Sequence, residues 1–91
     1  MQISLDKNRN LSITGYTIMK YEKATGKSLF NIGQNPSMTD IIYLLWSFLE
    51  DDLNIDDVAK MINLKNIKQI TEVLTKLMSE ATEGNEEAHS T

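Results

Sequence analysis

Few residues of this chain could carry chemistry, and their spacing decides against most of the reactions they suggest. Acid–base catalysis near neutral pH wants a histidine, a cysteine or a perturbed carboxylate held in a pocket by partners. The single histidine is His89, in the stretch Thr82 to Thr91 that offers no core side chain, so inert solvent exposure is expected for it. Cysteine is absent, which excludes disulfides and thiolate ligands and makes a reducing compartment the simplest setting. The carboxylates Glu50, Asp51, Asp52 and Asp56, Asp57 suggest a hard cation, but they lack the alternating oxygen ligands and central glycine of a calcium loop. A solvated helix boundary is expected there. Thr25-Gly26-Lys27-Ser28 contains the letters G-K-S of a phosphate loop. The earlier glycine of such a loop is replaced by Tyr21, and the preceding segment patterns as helix rather than buried strand, so a helix stop is expected. These residues point to a non-enzyme with no cofactor and no metal.

Binding chemistry is a better match to the side chains present. Tyr43, Trp46 and Phe48 lie in one apolar run, where aromatics can be core or can anchor a partner. In a chain of 91 residues core is the first expectation. Met61 and Met78 sit near the surfaces of expected helices, where methionine is either a gap-filler or a plastic contact. Phe30, between Gly26 and Gly33, is the aromatic least suited to full burial. The partner-binding candidates are therefore Phe30, Trp46, Met61 and Met78.

The elements that must position them follow from periodicity. Ile3 and Leu5, then Leu11 and Ile13, alternate around the polar cluster Asp6 to Asn10, which predicts a short N-terminal β-hairpin turning at that cluster. A helix is expected from Gly15 to Thr25. Tyr16, Met19 and Lys23 share one stripe of it, Ile18, Tyr21 and Ala24 lie beside that stripe, and Gly26 is the stop. Leu29, Phe30 and Ile32 make no more than one turn before the break at Asn35 and Pro36. Ser37 or Thr39 caps the next helix, Thr39 to Glu50, whose apolar residues cover nearly its whole circumference. Such a helix is central or an interface. A short helix opens at Asn54 with Val58, Ala59, Met61 and Ile62 inward. The last helix carries Ile67, Ile70, Leu74, Leu77 and Ala81 on a seam widened by Val73 and Met78. The fold class expected is mainly α, a small bundle of about four helices over 1–81, with a flexible, disordered acidic C-terminal tail over 82–91.

Charge and length narrow the partners. Thirteen acidic against nine basic side chains give a net charge of -4, which repels nucleic acid phosphates and anionic lipid over most of the surface. Met1 to Asp6 has neither the basic nor the apolar region of a signal peptide, and the apolar run Ile41 to Leu49 is shorter than the roughly 20 residues of a membrane span. The rival to protein binding is a small helix-turn-helix-like DNA-binding regulator, because Asp57 to Ile67 reads like a first helix and turn. Its register fails: with Ala59 as the small residue, hydrophobic positions of the second helix fall on Gln69 and Glu72. The lysines from Asp56 to Ala81 are matched by acids, and the only arginine, Arg9, lies elsewhere.

The opening Ile3-Ser4-Leu5-Asp6 with Leu11 and Ile13, the helix ending in Thr25-Gly26-Lys27-Ser28-Leu29-Phe30, Ser37-Met38-Thr39-Asp40 and the apolar run Ile41 to Leu49 come in a telling order. With the acidic helix start at Asn54 to Val58, that order resembles the tail assembly chaperones of tailed phages of Gram-positive bacteria, over about residues 1 to 80. The resemblance implies a non-enzymatic viral protein of the host cytoplasm that holds the tape measure protein soluble. It also implies recruitment of tail tube protein, self-association along the client, and a longer frameshifted form in related proteins. An apolar groove between packed helices would accept amphipathic segments of such a client.

Overall fold

The computed structural model describes the backbone of residues 1–32 and 36–90 and the side chains of 1–32 and 36–81. Among the described residues it is mainly helical, with a two-stranded hairpin at the N-terminus. Strands β1 (Gln2–Ser4) and β2 (Asn8–Asn10) pair antiparallel, with Ile3 opposite Arg9. The hairpin is as expected, but its turn is shorter than the polar cluster suggested. The chain reverses over Leu5 to Lys7, where the Leu5 N–H donates to the Lys7 carbonyl at 3.0 Å, and the second half of the cluster is itself the strand.

Alternation along that strand turns Arg9 to the same buried side as Ile3 and Leu11. A guanidinium is tolerated there only if it is paired. Its Nε and Nη2 donate to the two carboxylate oxygens of Asp6 at 2.8 and 2.7 Å, and Nη1 donates to Asp51, beyond the end of the central helix. The Arg9 fork, helped by the Lys7 backbone N–H, holds the Asp6 carboxyl down to about 2. The same two carboxylates push the Arg9 guanidinium up.

Helix α1 (Gly15–Thr25) begins at a reciprocal capping box, in which the Thr17 N–H donates to Thr14 Oγ1 and the Thr14 N–H donates to Thr17 Oγ1. It ends where Gly26 takes a left-handed conformation, φ 70°, which a residue with a Cβ adopts at a cost. Thr17 and Tyr21, one turn apart, are its buried residues. A single 3₁₀ turn, Leu29–Asn31, buries Leu29 and leaves Phe30 outside. The expected break at Asn35 lies outside the described residues.

Helix α2 (Met38–Phe48) is capped by Ser37, whose hydroxyl accepts from the Asp40 N–H while the Asp40 carboxylate accepts from the Ser37 N–H. That backbone N–H, with the Lys27 ammonium at 3.2 Å, holds the Asp40 carboxyl below its ordinary range. The helix stops two residues before the expected Glu50. Leu49 is drawn into extended conformation to bridge Leu11, the Ser12 N–H donates to the Phe48 carbonyl, and the Glu50 N–H donates to the Asn10 carbonyl. The hairpin thus claims the residues that periodicity alone would leave helical. Helix α3 (Ile55–Met61), capped by Asn54, buries Val58. Helix α4 (Ile67–Ser90) presents Ile70 and Leu74 to the core, with Ile67, Val73, Leu77 and Met78 packed beside them. Between α3 and α4, the Asn63 and Asn66 side chains each accept from the other's backbone N–H. The segment expected as a tail has its side chains, and Thr91 altogether, outside the described residues, His89 among them.

Helices α1, α3 and α4 all pack on α2, and Leu44, Leu45 and Phe48 at its centre are buried. Ser47 is also fully buried, and its hydroxyl finds no hydrogen-bond partner among the described residues. A buried hydroxyl without a partner costs roughly 1–3 kcal/mol. Ser47→Ala is therefore expected to raise stability by about 0.5–1.5 kcal/mol in urea unfolding, since alanine also has the better helix propensity. The Arg9 tie gives a pH signature. Because the Asp6 carboxyl titrates lower in the folded chain than in the unfolded chain, its contribution is fully present above pH ~4 and lost as pH falls toward 2. Arg9→Ala should lower the melting temperature at pH 7, and the gap from the parent protein should narrow as pH falls from 4 to 2 in circular dichroism melts.

Candidate functional site

A helix apolar around its circumference needs cover on every side, and α2 is not fully covered. Ile42, Tyr43 and Trp46 remain half-buried beside its fully buried stripe. The Trp46 ring is fixed from three directions. Its Nε1–H donates to the Leu53 carbonyl at 2.8 Å, tying it to the segment that leads into α3. Tyr43 meets it edge-on, with ring centroids 6.3 Å apart and planes at 88°. The Lys20 ammonium lies 4.3 Å from the ring centroid, in cation–π contact. A tryptophan held in this way is preorganised, and little side-chain entropy remains to be lost when something covers it.

Against this ring α1 presents its outer stripe. Tyr16, Met19, Lys20, Lys23, Ala24 and Trp46 line one open groove. Tyr16 is 68% exposed and Met19 45%, high values for residues of their size. Past Tyr16 and Lys20 the surface continues into a second depression that reaches Thr14, Leu49 and the carboxylates of Glu50, Asp51 and Asp52. The arrangement offers aromatic, thioether and methylene surface with cations at one end and anions at the other. A concave surface of this make-up is suited to binding.

The four residues singled out from sequence stand on four different structural segments, and the groove around Trp46 is lined by none of the other three. Phe30 projects from the 3₁₀ turn, 81% exposed. Met61 is half-buried at the end of α3, and Met78 is half-buried against the core from α4. Sequence reasoning missed Tyr16, Met19, Lys20 and Lys23 as surface. It found the stripe Tyr16-Met19-Lys23 and the stripe containing Tyr21, but not which one faces out. Lys20 and Lys23, which lie on either side of Tyr16 around the helix, were the available signal, because ammonium groups keep to water.

Other motifs are accounted for by structure. In Thr25-Gly26-Lys27-Ser28 the glycine stops α1, Lys27 pairs with Asp40, and the Ser28 hydroxyl accepts from the Phe30 N–H. The neighbouring Tyr21 phenol is pushed up by burial. Of the acidic run after α2, Asp51 is taken by Arg9 while Glu50 and Asp52 are exposed. On α4, Gln69 and Glu72 are exposed and Ile70 and Leu74 are the buried pair, so the helix does not adopt the register a helix-turn-helix would need. Among the described residues, no helix is long and apolar enough to cross a membrane. Comparison with protein-family models, curated proteins and solved structures finds no match to this chain.

Proposed function

We propose that this chain is a non-enzymatic tail assembly chaperone, which holds an amphipathic segment of a phage tape measure protein in the α1–α2 groove and so assists tail tube assembly in the host cytoplasm. The observation that carries the reading is the aromatic and methionine surface where exposed Tyr16 and Met19 adjoin the fixed, half-buried Trp46 ring in one groove, whereas the other exposed large apolar side chains, Phe30 and Leu64 among them, line none of it. Apolar side chains exposed next to one another cost solubility, and their retention on a fixed ring is the pattern of a contact surface. Order of elements and the residues Ile3 to Val58 quoted above supply the client class through resemblance. The net charge of -4 suits a holder that must keep a loaded complex in solution. Recruitment of tail tube protein and self-association along the client belong to the same proposal.

Coexpression with the tape measure protein of the same genome is expected to yield a soluble complex that survives purification. Tyr16→Ser with Met19→Ser removes exposed anchors only, so its stability should stay within about 0.5 kcal/mol of the parent for each site. Its affinity for the client should fall by roughly tenfold or more, as for the loss of two interface anchors. If the two proteins purify apart at low salt, or the double variant binds as the parent does, the proposal is wrong.

A further inference from the structure

The charges along the groove say more about its occupant than its apolar floor does. Lys23 lies at one end and Lys20 where the two depressions meet, and among the described residues no carboxylate pairs with either. Nearby cations behave differently: Arg9 is held by Asp6 and Asp51, and Lys27 by Asp40. Lys20 instead rests on the Trp46 ring. Beyond Tyr16 the surface turns anionic, with Glu50 and Asp52 exposed and unpaired among the described residues. Tyr16 and Lys20 border both depressions, so the sign of charge changes along one continuous surface. From Lys23 to Tyr16, where the two depressions meet, α1 rises about 10 Å, two turns, so an occupant that reaches both must be at least that long.

Resting on the reading of this groove as the client site, we infer that its occupant is a dipolar amphipathic helix. The carboxylates of that helix lie over Lys20 and Lys23, and its lysines or arginines lie over Glu50 and Asp52. Complementary rim charges set register and partner choice, whereas apolar contact sets most of the affinity. The overall charge of -4 makes a different forecast, since by itself it favours a uniformly basic partner.

Trp46 is the only tryptophan of the chain and reports occupancy by its fluorescence. The full chain is titrated with three tryptophan-free helical peptides of about 18 residues, long enough for appreciable helix. All share one leucine face and differ in carrying dipolar, uniformly acidic or uniformly basic charges. The dipolar peptide is expected to bind roughly fivefold tighter than either of the others at low salt, with the advantage fading as exposed pairs are screened. Lys23→Glu, an exposed change, should abolish that preference while leaving the melting curve in place. Equal binding of all three, or tightest binding by the basic peptide, overturns the dipolar inference and leaves the groove standing. If no peptide changes the Trp46 emission, the groove is not a helix site and both readings fall.

Discussion

Everything in this fold answers to one constraint: α2 is an eleven-residue helix with apolar side chains on nearly every face, and it has to be kept from water. Burying a leucine or phenylalanine completely contributes about 1.5–3 kcal/mol, so Leu44, Leu45 and Phe48 supply a central share of what little stability a chain of this size can collect. Helices α1, α3 and α4 are placed by that demand. The cover falls short on the side of Tyr43 and Trp46, where α1 supplies an outward stripe instead of a lid. Core and open groove are thus two sides of the same helix.

The hairpin works through α2 as well. Its second strand carries Arg9 inward, and the guanidinium joins the hairpin's own Asp6 to Asp51 just past the helix end. With the Leu11–Leu49 bridge, this tie ends α2 early and fixes the path of the following residues. Glu50 and Asp52 then project from a pinned segment at the anionic end of the groove, so a buried guanidinium paired to two exposed carboxylates holds the rim in place.

Much of the fold was legible in the sequence, for reasons that can be traced. Helix α1 was bounded correctly because Gly26 punctuates it, and the seam of α4 was visible because Ile70 and Leu74 recur at helical spacing. What escaped was set by long-range pairing. Asp6 to Asn10 reads as a turn because every residue in it is polar, and the buried Arg9 within it is paired both locally, by Asp6, and by Asp51, 42 residues away, which local patterning does not reveal. Leu49 looks helical until Leu11 claims it. At the site, Trp46 was recognisable as an aromatic that could face a partner, but its neighbours were not, since two apolar stripes of α1 compete and packing against α2 decides between them. Phe30 was rightly expected to escape full burial, yet it does not line the groove.

We propose that the surface formed by α1 and Trp46 holds the client. Amide and indole shifts of the isotopically labelled chain, mapped by NMR as a tape measure segment is added, test it most directly. Changes are expected to concentrate on residues 16–24, the Trp46 indole and residues 50–52, with α4 unaffected. Changes centred on α4 or on the turn bearing Phe30, with the Trp46 indole unmoved, would contradict it.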